Sequence, residues 1–193
     1  MKIGLYFGTF NPIHIGHLII ANHIAEYSDL DKVWLIITPH NPFKKKSSLL
    51  KDHHRHQLVL EALEDYPKLE ASTIEFNLPQ PNFTVNTLIH LQEKYPDYEF
   101  CPIMGEDNLK SLHKWKNYEV ILENHELLVY PRISDGTVEH QFINHAKIQL
   151  IDAPIVEISS TFIRKAIAEG KNCRPLLPEK VWKYIDEMHF YRT

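Results

Sequence analysis

Short apolar runs alternate along the chain with longer stretches of helical periodicity. The runs are rich in β-branched and aromatic residues, as in Lys2–Phe7 and Lys32–Thr38, and they predict buried strands. Between them, apolar positions recur with the spacing of an amphipathic helix, as in Gly16–Tyr27. Such alternation is typical of a parallel sheet whose strands are joined by crossover helices. The pattern predicts an α/β fold, a Rossmann-like parallel sheet with helices on both faces.

The same pattern predicts the remaining elements. Further strands are expected at Leu69–Phe76, Tyr98–Met104, Glu126–Tyr130, Lys147–Ile151 and Ile155–Ile158. Further helices are expected at Leu50–Asp65, at Thr84–Tyr95, from Ser159 to Ala168 or Glu169, and from Pro178 onward. Gly170 is expected to end the helix before it, and the last helix carries an apolar stripe of Val181, Trp182 and Ile185. The chain thus ends in a small helical portion, and we expect residues 1–193 to form a single domain.

Composition and charge narrow the classes of function. The 193 residues are 44% hydrophobic and 24% charged, which is ordinary for a globular protein. The formal net charge of −4 provides no overall attraction to nucleic acid or to anionic lipid. No apolar run reaches the roughly 20 residues of a membrane-spanning helix, and the start of the chain does not resemble a signal peptide. We expect a cytoplasmic protein with neither a nucleic-acid partner nor a membrane partner.

The cysteines and histidines do not form a recognisable metal motif. Cys101 and Cys173 lie far apart without CxxC spacing, which argues against a disulfide framework or a thiolate site. The chain has 13 histidines, and residues 53–56 contain three of them around one arginine. Because neighbouring side chains on a helix point in different directions, we interpret this cluster as a solvated helix face. We therefore predict no metal ligated by the chain alone.

The segment after the first predicted strand has the features of a phosphate-binding loop. From Gly8 to His17 it reads Gly-Thr-Phe-Asn-Pro-Ile-His-Ile-Gly-His. In open parallel sheets, ligands bind beyond the carboxyl ends of strands, where a helix N-terminus presents unpaired N–H groups. His14 and His17 lie three residues apart at a predicted helix start, so both imidazoles can donate to phosphate oxygens. An H-x-x-H pair alone more often consists of ordinary helix-terminal residues, so the assignment of a phosphate site depends on the whole segment.

A second candidate phosphate site lies in Ile158–Arg164, which reads Ile-Ser-Ser-Thr-Phe-Ile-Arg. Hydroxyls and free N–H groups at a helix start bind phosphate, and Arg164 adds a cation that can bind two oxygens. Alone, Ser-Ser-Thr before a helix would be interpreted as an N-cap. Together with the first motif, it indicates a second phosphate-binding element.

The two motifs together resemble the signatures of the nucleotidyltransferase superfamily. The first resembles its H-x-G-H element, and the second resembles the I-S-S-T-x-I-R motif of the small adenylyltransferases. From Met1 to Arg192 the chain resembles one branch, the nicotinate-mononucleotide adenylyltransferases. The resemblance implies that His14, His17 and Arg164 are the catalytic groups, which neutralise the triphosphate. It implies an ATP site made of Gly8, Thr9, Phe10, His14, His17, Gly105, Asp107, Ser159, Ser160, Thr161 and Arg164.

Two segments resemble the part of this family that binds the acceptor phosphate and carboxylate. Pro39–Lys44 matches a proline-rich loop that ends in a basic residue, and the resemblance implies that Lys44 faces the acceptor phosphate. Asn82–Thr87 resembles an S-Y-T-x-D-T segment. There the resemblance implies that main-chain amides at Thr84 and Val85 receive the nicotinate carboxylate, which suits a helix N-terminus.

A third segment, Ile103–Leu109 followed by Trp115, resembles the family's I-x-G-x-D-x-L…W block. Gly105 would let the nucleotide approach closely, Asp107 would accept from ribose hydroxyls, and Trp115 would stack on the pyridine ring.

The chain departs from the family's pattern at Phe7, Asn11, Asn82, Phe83 and Asn86. Phe7 stands where a second glycine is usual, and we interpret it as the end of the first strand. Asn11 stands where aspartate is usual. It keeps the hydrogen-bonding shape without the charge, so we assign it no catalytic role.

The resemblance implies a reaction and its partners. The phosphate of nicotinate mononucleotide would attack the α-phosphorus of ATP, giving deamido-NAD and pyrophosphate without an enzyme nucleophile. Mg²⁺ is expected to arrive with ATP, because no carboxylate cage is evident. Two alternatives stay open: adenylyl or cytidylyl transfer to another phosphorylated acceptor such as phosphopantetheine, and a non-catalytic nucleotide sensor. The oligomeric state, including a homo-oligomer, also stays open.

Overall fold

The protein is built round a parallel β-sheet, and the computed structural model describes residues 1–39, 49–132, 142 and 144–192. In that part of the chain the strands are β1 (Lys2–Gly8), β2 (Lys32–Ile37), β3 (Leu69–Ser72), β4 (Glu99–Gly105), β5 (Leu127–Tyr130) and β6 (Ile148–Leu150). The helices are α1 (Ile15–Tyr27), α2 (Asp52–Leu63), α3 (Thr84–Lys94), α4 (Glu106–Leu109), α5 (Tyr118–Asn124), α6 (Ser160–Ala168) and α7 (Glu179–Glu187). Among these residues no helix combines the length and the apolarity that a membrane span needs.

The strand order β3-β2-β1-β4-β5-β6 places β1 at the centre of the sheet. It pairs in parallel with β2 on one side and with β4 on the other. The direction of winding reverses between β1 and β4, and in doubly wound sheets such a reversal leaves a crevice at the carboxyl ends of the strands. Gly8 ends β1 and Gly105 ends β4, so both lie at that edge. The predicted Rossmann-like parallel sheet is confirmed.

Apolar side chains cover both faces of the sheet. One layer packs helices α1, α2, α6 and α7 against the sheet, and the other packs α3 and α5. Successive side chains of a strand point to opposite faces, and accordingly Tyr6 belongs to the first layer, whereas Leu5 and Phe7 belong to the second. Val181 and Ile185 of α7 are buried in the first layer, which confirms the predicted apolar stripe. Helices on both faces and a C-terminal helical portion are thus confirmed.

The third strand is shorter than predicted. β3 ends at Ser72 and a 3₁₀ turn follows over Ile74–Asn77, so the prediction of one strand over Leu69–Phe76 is wrong in its second half. The Ser72 hydroxyl accepts the N–H of Ile74 at 3.4 Å. Such local bonds of serine compete with strand pairing. The turn brings the carboxyl of Glu75 into the protein interior.

The strand predicted at Ile155–Ile158 is absent, since the structure gives this segment no strand pairing. Pro154, just before it, lacks the N–H that a strand ladder needs. Val156 and Ile158 line a cavity instead.

The other predicted elements agree with the structure to within two residues at either end. The periodicity predicted no helix between Gly105 and Glu126, where the short helices α4 and α5 lie. Gly170 follows α6 with φ of 67°, in the left-handed region that favours glycine, and this confirms its predicted place at the helix end.

Candidate active site

A cavity of about 450 Å³ opens at the carboxyl edge of the sheet. Its volume is in the range of small-molecule sites, about 300–1,000 Å³. The loop after β1, the start of α6, the short helix α4 and the end of β5 contribute to its walls. The predicted ATP-site residues among its lining are Gly8, Thr9, Phe10, His14, His17, Asp107, Ser159, Ser160, Thr161 and Arg164. Gly105, the remaining one, ends β4 just before Asp107. The fold therefore brings the two motifs to one cavity.

The loop after β1 folds back on itself at Phe10. Phe10 has φ of 42°, and its side chain is buried. A Cβ at Gly8 would lie 2.8 Å from the Phe10 ring, so only glycine fits there without a shift. The ring centroid lies 5.2 Å from that of His17 in an edge-on contact. Phe10 thus supports the His17 imidazole from within the protein.

The two histidines of the first motif stack on one another. Their ring centroids are 3.7 Å apart with the ring planes 27° from parallel. His14 is the residue before the first turn of α1, and its main-chain N–H donates to Nδ1 of His17 at 3.2 Å. Because His17 Nδ1 accepts, the proton of a neutral ring is carried by Nε2. A Cβ at Gly16 would lie 3.1 Å from the His14 ring, a tight contact, so glycine lets the ring keep its place without a shift.

The environment of His14 keeps its imidazole neutral. The side chain is only 4% exposed, and Nδ1 has no hydrogen-bond partner among the described residues. Burial lowers the pKa of His14 to about 4, and the nearby Arg132 cation also lowers it. A bound phosphate would stabilise the charged form, because an adjacent anion raises the pKa of an imidazole.

This burial predicts a pH dependence of stability. The unfolded chain has the ordinary pKa of 6.5 at His14 and the folded protein about 4, so protonation favours the unfolded state between those values and stability falls as the pH falls. From about pH 7 to about pH 4.5 this residue alone is expected to cost about 2.5 kcal/mol. Between these two pH values, the free energy of unfolding of His14→Gln should fall by about 2.5 kcal/mol less than that of wild type. Urea unfolding at both pH values gives the measurement. Equal losses in the two proteins would contradict the expectation.

The start of α6 is joined to the first motif by side-chain hydrogen bonds. Ser160 Oγ donates to the carbonyl of Pro12 at 2.9 Å, and Arg164 Nη1 donates to the carbonyl of Asn11 at 2.9 Å. Arg164 Nη2 also donates to Thr161 Oγ1 at 3.3 Å. These contacts fix the position of the Arg164 cation at the cavity wall.

Ser159 is the N-cap of α6. Its Oγ accepts the N–H of Phe162 at 3.2 Å, which is the role that the serine run would have outside this context. The hydroxyl proton of Ser159 is not used by that bond. Ser159, Ser160 and Thr161 all line the cavity, so the cap and a phosphate contact are compatible.

Asn11 is a buried acceptor in the first motif. Its Oδ1 accepts from the main-chain N–H of Leu50 at 3.2 Å and from the hydroxyl of Tyr191 at 2.8 Å. These bonds need a side-chain oxygen and no charge. They join the loop after β1 to the entry of α2 and to the C-terminal turn.

Of the residues predicted for the acceptor, Thr84, Val85 and Trp115 are not among the described residues that line the cavity. Thr84 and Val85 begin α3, and the side chain of Val85 is buried, so only its main chain could face a ligand. No side chain caps this helix start. Half-buried Trp115 and Phe83 both pack against the second core layer, and Nζ of Lys116 lies 4.8 Å from the Phe83 ring centroid. Lys44 lies outside the described residues.

Comparison with known proteins identifies the family. Residues 5–166 match the model of the cytidylyltransferase-like family. A protein of Flavobacterium psychrophilum described as a probable nicotinate-nucleotide adenylyltransferase is 70% identical over 192 residues, covering 100% of both chains. Its counterpart in Christiangramia forsetii is 70% identical over 191 residues, covering 99% of this chain and 98% of the other. The chain belongs to the nicotinate-nucleotide adenylyltransferase family.

A solved structure supports the fold. The Plasmodium falciparum nicotinic acid mononucleotide adenylyltransferase complexed with NaAD has a TM-score of 0.81 and is 20% identical, with 98% of this chain and 97% of that chain covered. At this identity the likeness concerns the fold. It agrees with the Rossmann-like sheet of this adenylyltransferase family member.

The sequence interpretation missed two arginines, of which Arg132 lines the cavity and Arg55 lies behind its described lining residues Thr9 and Thr38, whose carbonyls it binds. Arg132 follows β5, lines the cavity and lies over the Tyr130 ring at 5.6 Å, with Nε 3.7 Å from Asp107 Oδ1. A basic residue just after the carboxyl end of a buried strand was the available signal.

Arg55 lies within residues 53–56, which we interpreted as a solvated helix face. That interpretation is wrong for Arg55, which is fully buried.

The carboxylates of the described residues do not form a metal cage at the cavity. Asp107 is the one carboxylate among the described lining residues. In the part of the chain that the structure describes, the one group of donors spaced for a metal is Glu99, Cys101 and Glu126, within 4.8 Å of one another. It lies where β4 and β5 begin, at the opposite edge of the sheet, and Lys2 Nζ is already 2.8 Å from Glu126.

Proposed function

We propose that this family member transfers the adenylyl group of ATP to nicotinate mononucleotide, which yields deamido-NAD and pyrophosphate. The observation that carries the proposal is the joining of both motifs at one cavity. Ser160 and Arg164 of α6 donate hydrogen bonds to main-chain carbonyls of the loop after β1, which leads into the two histidines. The relatives at 70% identity are named for this activity. The reaction belongs to NAD biosynthesis.

The cavity offers positive charge and donors for a triphosphate. The N-termini of α1 and α6 both lie at it, and each carries a partial positive charge. His14, His17 and Arg164 are proposed as the catalytic groups, which stabilise the charge that develops as pyrophosphate leaves. The acceptor phosphate itself attacks the α-phosphorus, so the protein needs no nucleophile and acts by positioning.

The N-terminus of α3 suits the carboxylate of the acceptor. The first N–H groups of α3, at Thr84 and Val85, have no helical partner and favour an anion such as a carboxylate. Thr87 Oγ1 donates to Glu75 at 2.7 Å, and this buried bond holds the first turn of α3 in place. The half-buried face of Trp115 is proposed to stack on the pyridine ring, and Lys44 to bind the acceptor phosphate.

Mg²⁺ is proposed as the cofactor that accompanies ATP. The ion keeps several waters and is usually bound by one or two carboxylates together with substrate phosphates. A single lining carboxylate, Asp107, already close to Arg132, fits an ion held mainly by the triphosphate and water. When bound, the ion would neutralise phosphate charge.

We also propose a cytoplasmic location for the protein.

Trp115→Ala tests the acceptor part of the proposal. Stacking of a flat ring on an aromatic side chain contributes about 1–3 kcal/mol, so KM for nicotinate mononucleotide should rise about tenfold while KM for ATP changes less than about twofold. Trp182→Ala is the matched control, because Trp182 is half-buried on α7, away from the cavity lining. An unchanged KM for nicotinate mononucleotide in Trp115→Ala would overturn this assignment.

A further inference from the structure

Arg55, in the first turn of α2, has the only fully buried charged side chain among the described residues, with 0% exposure. Its guanidinium has five N–H donors, and five acceptors surround it. The acceptors are the carbonyls of Thr9 at 2.7 Å, Thr38 at 2.8 Å, Leu50 at 3.1 Å and Pro39 at 3.3 Å, and Asp52 Oδ1 at 2.6 Å. The side chain is therefore fully hydrogen-bonded inside the protein.

The main-chain acceptors of Arg55 belong to segments that meet at the cavity. Thr9 lies in the loop after β1, and Thr38 follows β2; both line the cavity. Nη1 binds both of their carbonyls, while the N–H of Thr38 donates to the carbonyl of Gly8 at 2.9 Å. One side chain thus sets the spacing between two adjacent loops of the candidate nucleotide site.

Burying an arginine costs desolvation free energy, so a buried arginine contributes little net stability to a fold. Burial lowers the pKa of Arg55, and the carboxylate of Asp52 only partly offsets the loss of water. Apolar residues of similar size often stabilise a protein interior as well as a buried ion pair does. The planar guanidinium, in contrast, fixes the directions of several carbonyls at once, which a lysine ammonium does not. Its geometry points to orientation of the loops.

We propose that Arg55 is a positioning residue for ATP binding. It holds the Thr9 and Thr38 carbonyls in the arrangement that shapes the loop after β1, and through that loop it orients His14 and His17. The inference rests on the proposed function, because it takes the cavity as the ATP site. Arg55 has no role in the chemistry itself.

Arg55→Lys tests this inference, with Leu58→Ala as the matched control. Leu58 lies one turn further along α2 and is fully buried in the core, so its truncation weakens the same helix but removes none of the hydrogen bonds that Arg55 makes to the loops. Binding of ATP with Mg²⁺ is measured by calorimetry in the absence of acceptor, and folding is followed by circular dichroism. Arg55→Lys should weaken ATP binding about tenfold or more. Leu58→Ala should unfold at a lower temperature and bind ATP within about twofold of wild type.

The outcomes separate the inference from the proposed function. If wild type does not bind ATP, the proposed ATP site is wrong. If wild type binds ATP and folded Arg55→Lys binds it equally well, the positioning role is wrong and the site stands. Equal losses of affinity in Arg55→Lys and Leu58→Ala, or a failure of Arg55→Lys alone to fold, would assign Arg55 to the stability of the fold and overturn the inference.

Discussion

Replacing His17 by alanine is expected to lower kcat about 100-fold or more. The Phe10 ring supports the His17 imidazole, and its Nδ1 accepts the His14 N–H, so the proton of the neutral ring is on Nε2. A donor held in this way contributes most when charge develops on the leaving pyrophosphate. Loss of one such preorganised donor typically costs about 10²–10³ in kcat. Steady-state pyrophosphate release gives the measurement.

The control for His17→Ala is on the same helix. His23 lies further along α1 and stacks on Tyr27 at 4.6 Å, outside the cavity lining. His23→Ala should keep kcat within about twofold, because surface substitutions away from a site have small effects. A wild-type kcat in His17→Ala would remove this residue from the catalytic assignment.

Replacing Arg164 by alanine is expected to have an effect of similar size, about 10²–10³ in kcat. The side chain has two tasks: its charge faces the cavity, and its Nη1 holds the Asn11 carbonyl of the first motif. Alanine removes both. Arg164→Lys keeps the charge but not the planar fork, so it should recover only part of the lost rate.

The neighbouring Lys165 provides the matched control for Arg164. Its side chain is 75% exposed and pairs weakly with Glu169 on the same helix. Lys165→Ala should leave kcat unchanged, which would show that the effect at Arg164 does not come from a general loss of positive charge on α6. Equal kcat values in Arg164→Ala and Lys165→Ala would contradict the two-motif site.

The central sheet could be predicted because its signal is local. Buried parallel strands are continuous apolar runs, and the run at Lys2–Phe7 is one of them. The two errors lie where other interactions decide the structure. The Ser72 hydroxyl accepts a hydrogen bond from the following main chain where β3 ends, whereas Val156 and Ile158 line the cavity instead of pairing with a strand.

The site could be predicted in part. The two motifs are sequence-local signals, and the fold brings them to one cavity. Arg55 could not be predicted, because its burial follows from acceptors at Thr9 and Thr38 that are distant in sequence. Asn11 is similar: its bond to Tyr191 spans most of the chain. Contacts of this kind depend on how elements pack, and residue type alone does not report them.

The most direct measurement is pyrophosphate release from ATP by the full chain with each of three acceptors in parallel. The acceptors are nicotinate mononucleotide, nicotinamide mononucleotide and phosphopantetheine. Our account predicts the highest kcat/KM with nicotinate mononucleotide, because the first N–H groups of α3 favour its carboxylate. Release that is fastest with phosphopantetheine, or no release with any of the three, would contradict it.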